Sequence, residues 1–161
     1  LQRVAAGTHE TAYLAVLDDD EVVYIARNGP NRNMNTGYVL GARVPAQVTA
    51  AGMLMLSMRS DAELEHWLDN RALTVFTSHT ITCPAEMRRE LALIRTQDWA
   101  LCEQQLNLDS RGIAVPLRDR HGALAGALNI TMPMGRETGK GAVARVLPML
   151  RETAQAMRDL I

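Results

Sequence analysis

The residues best suited to binding chemistry lie on two neighbouring strand-like segments, 112–117 and 124–131. Because strand side chains alternate between two faces, each segment has a bulky face and a small-residue face. The bulky face carries Ile113, Val115, Leu117, Leu124, Leu128 and Ile130, and the small-residue face carries Gly112, Ala114, Pro116, Ala125, Ala127, Asn129 and Thr131. A packed interior leaves few voids, so the small-residue face either receives a close-packed helix or lines a cavity. Asn129 and Thr131 favour the cavity, because polar groups on an inward face need partners that a ligand can supply.

A second candidate site is the start of an apolar helix at Pro45–Gly52. Free backbone N–H groups and the helix dipole make such an end a seat for a carboxylate, and small side chains let a ligand approach. The alternative is that the alanines serve packing only. The residues of this segment leave both interpretations open.

Enzyme and metal signatures are weak in this sequence. The four histidines lie in no HExxH or HxE pattern, and His79 and Cys83 have no second ligand pair nearby. The segment 135–141 resembles a phosphate loop but has three residues between its first two glycines where four are needed, so we expect a loop that leads into a helix. Cys102 beside Glu103 lacks a suitably placed histidine. We therefore expect no catalytic residues, no metal and no cofactor.

The elements that position these residues are predicted from hydrophobic periodicity and from turn and capping residues. Two β-rich runs around Asp18–Asp20 predict a hairpin, and Ser60–Glu63 is a capping box. Pro148 is expected to kink the last helix. The pattern predicts helices over 46–58, after Ser60, from Pro84 and from Lys140, and strands over 11–17, 22–26, 99–101, 111–117 and 123–132. Hairpins without regular strand–helix alternation favour an α+β domain with a mostly antiparallel sheet.

Composition limits the class of protein. The 161 residues are 47% hydrophobic and 22% charged, which suits one globular domain over 1–161. Two cysteines without a CxxC pair fit a reducing cytoplasm, and the apolar runs are too short for a membrane span. A net charge of -1 argues against nucleic-acid binding by this piece. The start, Leu1-Gln2-Arg3, has no initiator methionine, and we expect that something precedes it.

Three segments resemble the effector domain of IclR-type bacterial transcription regulators. These are MNTGYVLGARVPAQVTAAG (34–52), RGIAVPLRDRHGALAGALNITMP (111–133) and, for the family's linking segment, TSHTITCP (77–84). The match spans essentially the whole chain. The residues around Gly37-Tyr38 and 41–43 are most similar to the subgroup that controls protocatechuate, 4-hydroxybenzoate and β-ketoadipate catabolism.

The resemblance implies a GAF-like fold whose pocket binds a small organic acid. It also implies a homodimer or a dimer of dimers, with no membrane contact. DNA would be bound only through an N-terminal winged helix-turn-helix domain, which this chain lacks. The competing hypotheses are a small-molecule enzyme that acts on a carboxylic acid through Cys102 or Glu103, and a purely structural oligomerisation domain with a collapsed pocket.

The family's pocket positions transfer to ten residues of this sequence. The resemblance implies a loop over the pocket, a carboxylate seat at two backbone N–H groups, a neighbouring strand, and a polar pair opposite. These are, in that order, Asn33, Thr36 and Val44; Ala50 and Ala51; Cys102, Ser110 and Gly112; and Asn129 and Thr131. The sequence departs from the family where Cys102 replaces a frequent acidic residue. It also departs at Gln105, Asn107 and Asp109, in a stretch where Glu and Gly are typical.

Overall fold

The computed structural model describes residues 1–30 and 38–161. Within these residues, six strands form one antiparallel sheet in the order β3-β2-β1-β6-β5-β4. The strands are β1 (Thr11–Asp18), β2 (Glu21–Asn28), β3 (Arg43–Pro45), β4 (Ala100–Glu103), β5 (Ser110–Arg118) and β6 (Leu124–Pro133). The helices are α1 (Gln2–Thr8), α2 (Ala50–Ser57), α3 (Asp61–Asn70), α4 (Pro84–Gln97) and α5 (Gly139–Met157). The predicted α+β class and antiparallel sheet are confirmed.

The sheet separates two hydrophobic clusters. The bulky face packs against α1 and α5 through residues such as Leu128, Ile130 and Val146. The small-residue face packs against α2, behind which lie buried residues of α3 and α4 such as Trp67 and Leu91. Both expectations for the small-residue face are therefore met in part, because a helix covers it and, as described below, a cavity remains at one end.

Local signals place several helix ends as expected. Ser60 and Glu63 form a reciprocal capping box at the start of α3, and Pro84 begins α4. Thr138 caps α5 by accepting a hydrogen bond from the Gly141 N–H, so the 135–141 segment leads into a helix. These ends are satisfied by the residue types that helix termini require.

The predicted helix over 46–58 is wrong at its start. Residues 46–48 form a 3₁₀ turn, Thr49 is extended, and α2 begins at Ala50. The 3₁₀ turn packs back against α2 at Gly52. A Cβ at this position would collide with the backbone of Ala46, so the contact requires glycine. The start of the helix therefore lies at Ala50, not at Pro45.

Two short elements carry too little periodicity to be predicted from sequence. Helix α1 has seven residues and contains Gly7, where a Cβ would collide with Met149 of α5. Strand β3 has three residues and is defined by its pairing with β2. Tertiary contacts, not local sequence, stabilise both. Over the described part of the chain, no helix combines the length and apolar character needed to cross a membrane.

Candidate ligand-binding site

A cavity of about 20 Å³ lies where the start of α2 meets strands β4, β5 and β6. This volume suits a single water molecule. The described residues that line it are Tyr24, Tyr38, Thr49, Ala50, Cys102, Ser110, Arg111, Gly112, Asn129 and Thr131. Three of them, Gly112, Asn129 and Thr131, belong to the small-residue face that the sequence predicts.

Strand register brings the cavity residues together. Gly112 pairs with Cys102 on one side and with Thr131 on the other, so the three residues form one row across the sheet. Asn129 lies in the next row, opposite Ala114 and Tyr13. Residues two apart on one strand share a face, so Asn129 and Thr131 lie on the same side as Gly112.

Asn129 holds a buried polar atom that lacks a partner in the part of the chain that the structure describes. Its side chain is 2% exposed, and its Nδ2 donates a hydrogen bond to Thr131 Oγ1 at 3.1 Å. Within residues 1–30 and 38–161, the Oδ1 atom has no hydrogen-bond partner. Leaving such a group unpaired costs about 1–3 kcal/mol. A group that donated a hydrogen bond to Oδ1 would remove this cost.

Gly112 leaves an opening between this amide and the start of α2. A Cβ placed on Gly112 would lie 3.7 Å from Asn129 Oδ1, 3.8 Å from the Ala50 backbone nitrogen and 3.2 Å from the Ala50 Cβ. Any side chain at this position would therefore fill the space that separates the two polar groups. The glycine is needed here for room, not for an unusual backbone angle.

The start of α2 supplies N–H donors at the cavity. Thr49 Oγ1 accepts from the Gly52 N–H at 3.0 Å, which satisfies one first-turn donor. The N–H groups of Ala50 and Ala51 lie in the first turn and have no acceptor four residues earlier within the helix, as in any α-helix. Arg95 of α4 donates to the carbonyl of Ser57 at 2.6 Å and so fixes the opposite end of α2. The helix is therefore held with its positive end at the cavity.

Three tyrosines form an aromatic wall beside the cavity. The rings of Tyr24 and Tyr38 stack with centroids 4.6 Å apart and planes at 9°. The Tyr13 ring packs against Tyr24 at 4.9 Å, and its hydroxyl accepts a hydrogen bond from the Tyr38 N–H at 3.0 Å. Burial raises the pKa of Tyr38 to about 12 and that of Tyr24 well above its usual value of 10.0. The Tyr24 and Tyr38 hydroxyls are therefore neutral near pH 7.

Comparison with known proteins places this fold and cavity in a family. Residues 1–158 match the family described as "Bacterial transcriptional regulator IclR C-terminal". The chain belongs to this family. The relatives considered below are transcriptional regulators, so the expectation that the chain is not an enzyme is confirmed.

Among curated IclR-type relatives, the Pca regulon regulatory protein of Pseudomonas putida is 34% identical over 161 residues, covering 99% of this chain and 54% of that protein. The p-hydroxybenzoate hydroxylase transcriptional activator of Acinetobacter baylyi is 31% identical over 166 residues, covering 100% of this chain and 61% of that protein. The chain thus spans about half the length of the curated relatives it matches. The resemblance to the protocatechuate and hydroxybenzoate subgroup is confirmed.

Solved IclR-type structures have the same fold. The inducer-binding domain of the PobR transcription factor from Acinetobacter, a double mutant in complex with 3-hydroxybenzoic acid, has a TM-score of 0.94 at 32% identity and is similar over 100% of this chain and 94% of that chain. IclR of Thermotoga maritima has a TM-score of 0.88 at 26% identity, over 97% of this chain and 63% of that chain. The α+β architecture expected for an IclR effector domain is therefore confirmed.

Cys102 and Glu103 lie on opposite faces of β4. The Cys102 thiol donates to the Val48 carbonyl at 3.3 Å, and burial, with smaller effects from Glu90 and Glu103, raises its pKa to about 12. Glu103 Oε2 instead accepts from Arg111 Nε at 2.7 Å, on the side of α5. A thiol that stays protonated is a poor nucleophile. The described residues contain no cluster of three or more metal-ligating side chains.

The structure brings most of the expected site residues together. Val44 and Ala51 are buried in the adjoining core cluster, and Asn33 and Thr36 lie outside the described residues. Six of the ten residues line the cavity, and their role in ligand binding stays a prediction: Ala50, Cys102, Ser110, Gly112, Asn129 and Thr131. Sequence reasoning missed Tyr24 and Tyr38, although Tyr24 shares the inward alternation of Val22 on β2.

Gln105, Asn107 and Asp109, where the sequence resemblance implied a departure from the family, lie in the turn before β5. Asn107 Oδ1 accepts from the Asp109 N–H at 2.9 Å, which closes an Asx turn. Gln105 Oε1 accepts from the Ile81 N–H at 3.2 Å and ties the turn to the segment before α4. Gln104 adopts a positive φ of 58° at the end of β4. The substitutions therefore keep a tight connection beside Ser110.

Proposed function

We propose that this domain binds a small organic acid, of the aromatic hydroxy-acid or β-keto-acid class, as the effector of a regulator of catabolic genes. The observation that carries the proposal is the buried amide oxygen of Asn129, which has no hydrogen-bond partner among the described residues and faces the start of α2 across Gly112. A polar group of this kind beside a helix N-terminus suits an anionic ligand with a second polar group. The names of the relatives support the ligand class, since they regulate Pca and p-hydroxybenzoate genes.

Each expected residue has a role in this proposal. The N–H groups of Ala50 and Ala51 bind the carboxylate. The Asn129 amide either accepts from a ligand hydroxyl through Oδ1 or, after rotation, donates through Nδ2, and Thr131 fixes its orientation. Cys102, Ser110 and Gly112 shape the side of the site on β4 and β5. Val44 was expected in a loop over the site, but it lies in β3 and is buried in the adjoining core. The roles of Asn33 and Thr36, which lie outside the described residues, stay predictions.

The cavity is too small for such a ligand without rearrangement. Its volume is about 20 Å³, whereas small-molecule sites usually measure roughly 300–1,000 Å³. Binding therefore selects a state in which side chains around the cavity have moved. A ligand-dependent change of this kind is what an effector domain needs in order to alter the arrangement of subunits.

Titration calorimetry with 4-hydroxybenzoate, protocatechuate and β-ketoadipate tests the proposal. We expect saturable binding of at least one acid, and a loss of about tenfold to a hundredfold in affinity for Asn129→Ala and for Thr131→Val. Asn70→Ala on α3, where the side chain is exposed and bonds to His66, is the matched control and leaves affinity unchanged. Absence of binding for all three acids, or equal affinity in the Asn129 variant, would overturn the proposal.

We also infer that the domain self-associates and that DNA is bound through a winged helix-turn-helix domain of the full-length regulator. Two-fold proteins match paired operator half-sites, and a net charge of -1 does not suit phosphate binding. Sedimentation at tens of micromolar should show a dimer or larger species, and this chain alone should not retard operator DNA. A monomer, or specific retardation, contradicts the respective inference.

A further inference from the structure

We infer that the Tyr24–Tyr38 stack selects aromatic over saturated acids, with a ligand ring displacing the Tyr38 ring and taking its place against Tyr24. The inference rests on the proposed function, because it requires that an acid enter this cavity. It assigns a role in specificity to two residues outside the set that the sequence resemblance implied. It also identifies which side chain moves when the cavity enlarges.

The two rings are held very differently. Tyr24 is 1% exposed and lies within β2, where its N–H donates to the Ala42 carbonyl at 3.2 Å and its carbonyl accepts from the Gly41 N–H at 2.8 Å. Tyr38 is only partly buried and lies outside the strands. Its backbone is joined to the wall by the bond to the Tyr13 hydroxyl. Tyr24 is therefore the fixed platform, and Tyr38 is the ring that can leave.

The space that a ligand needs is the space that Tyr38 occupies. Both rings line the 20 Å³ cavity together with Ala50, Asn129 and Thr131. An acid with its carboxylate at the start of α2 therefore has the tyrosine stack as one wall. Removal of the Tyr38 ring from its near-parallel position 4.6 Å from Tyr24 exposes a flat aromatic surface inside the site.

The exchange favours planar rings. Displacing Tyr38 breaks one aromatic stack, and an aromatic ligand restores it while a saturated ring of similar size does not. Aromatic pairs contribute beyond the area they bury, and the difference corresponds to a preference of roughly twofold to tenfold. The carboxylate contacts are common to both kinds of ligand, so they do not contribute to this preference.

Benzoate and cyclohexanecarboxylate form a matched pair of probes, because both carry one carboxylate on a six-membered ring. Calorimetric competition should show that the wild-type domain binds benzoate roughly twofold to tenfold more tightly. In Tyr24→Leu the two affinities should become equal, and Tyr24→Phe should restore the preference. Tyr38→Ala should bind benzoate more tightly than the wild type, because no ring has to be displaced.

Tyr13→Phe is the control, since it keeps all three rings and removes only the hydroxyl that accepts from Tyr38. It should retain the preference for benzoate. Circular dichroism and thermal melting identify a Tyr24 variant that fails to fold, and Tyr38→Ala then decides the question independently.

Three outcomes overturn the inference. Equal wild-type affinities do so, as do weaker benzoate binding in Tyr38→Ala and an unchanged preference in folded Tyr24→Leu. Each of these leaves the proposed function standing, because acids still bind. If the wild type binds neither probe and none of the three acids tested above, both the inference and the proposed function are overturned.

Discussion

The two faces of the central sheet use the same strands for different purposes. On the bulky face, Ile113, Leu128 and Ile130 are fully buried against α1 and α5. On the small-residue face, α2 covers only part of the surface, and the rest borders a cavity. The Asn129 amide oxygen at this cavity has no partner within residues 1–30 and 38–161. Successive residues of β5 and β6 therefore alternate between the face packed against α1 and α5 and the face that borders the cavity.

The polar groups show the same difference. On the side of α5, Arg111 is 3% exposed and donates to Glu103 Oε2 and to the Glu137 carbonyl at 2.7 and 3.0 Å. Arg145 joins Glu137 to Glu10 and to the Thr8 carbonyl at the end of α1. These groups are paired within the domain, whereas Asn129 Oδ1 has no partner among the described residues. Trp67 Nε1 and Thr153 Oγ1 are also buried without a partner there, so the proposed site rests on the position of Asn129 Oδ1 at the cavity and not on the missing partner alone.

Leu128→Ala should have the largest effect on stability. Leu128 is fully buried on the bulky face, so the substitution leaves a cavity against α5 and lowers the free energy of unfolding by roughly 2–5 kcal/mol. Urea denaturation measures this loss. Acid affinity in the folded fraction should remain that of the wild type, and a specific loss of affinity would show that the faces are assigned the wrong way round.

Ala127→Leu tests how tightly the covered part of the small-residue face is packed. Ala127 is fully buried in the cluster that includes α2 but does not line the cavity. Additional carbons in a packed site cost about 1–3 kcal/mol, so we expect a loss of stability. Acid affinity should fall less than in Gly112→Ala. The reverse order would mean that the cavity extends along β6.

Gly112→Ala should separate binding from stability. The new Cβ lies 3.2 Å from the Ala50 Cβ and fills the opening between Asn129 and the start of α2. We expect affinity for the acid to fall by at least about tenfold, since a hydrogen bond to a charged ligand group is lost. The free energy of unfolding should change by less than about 1 kcal/mol, because alanine suits a strand better than glycine. An unchanged affinity would place the ligand elsewhere.

The sequence predicts the two faces because strand alternation is a local property. Gly112, Asn129 and Thr131 could be placed on one side of the sheet from parity alone, and the capping box at Ser60 from residue types alone. The position of the helix end could not be predicted this way. It depends on the contact of Gly52 with Ala46, which only the folded chain forms.

Tyr24 and Tyr38 illustrate a second limit. Their rings stack across fourteen residues of sequence, between a strand and a connecting segment, and no spacing rule relates them.

The roles of Cys102 and Glu103 were open for a similar reason. Adjacent strand residues point to opposite faces, but only the buried surroundings of the thiol and the position of Arg111 show what each side chain does.

The smallest expected effect concerns the two thiols. Cys83 is exposed before α4, whereas Cys102 is buried on the small-residue face with its pKa raised from 9.0 to about 12. At pH 8 an aromatic disulfide reagent should therefore modify one thiol per native chain at Cys83 and a second only after denaturation. Because the folded pKa is the higher one, the stability contributed by the neutral Cys102 thiol is fully present below pH 9. It is lost as the pH rises from about 9 towards 12. Over that range the free energy of unfolding should therefore fall more steeply in the wild type than in Cys102→Ser. Rapid modification of Cys102 in the native domain would mean that the small-residue face opens without a ligand.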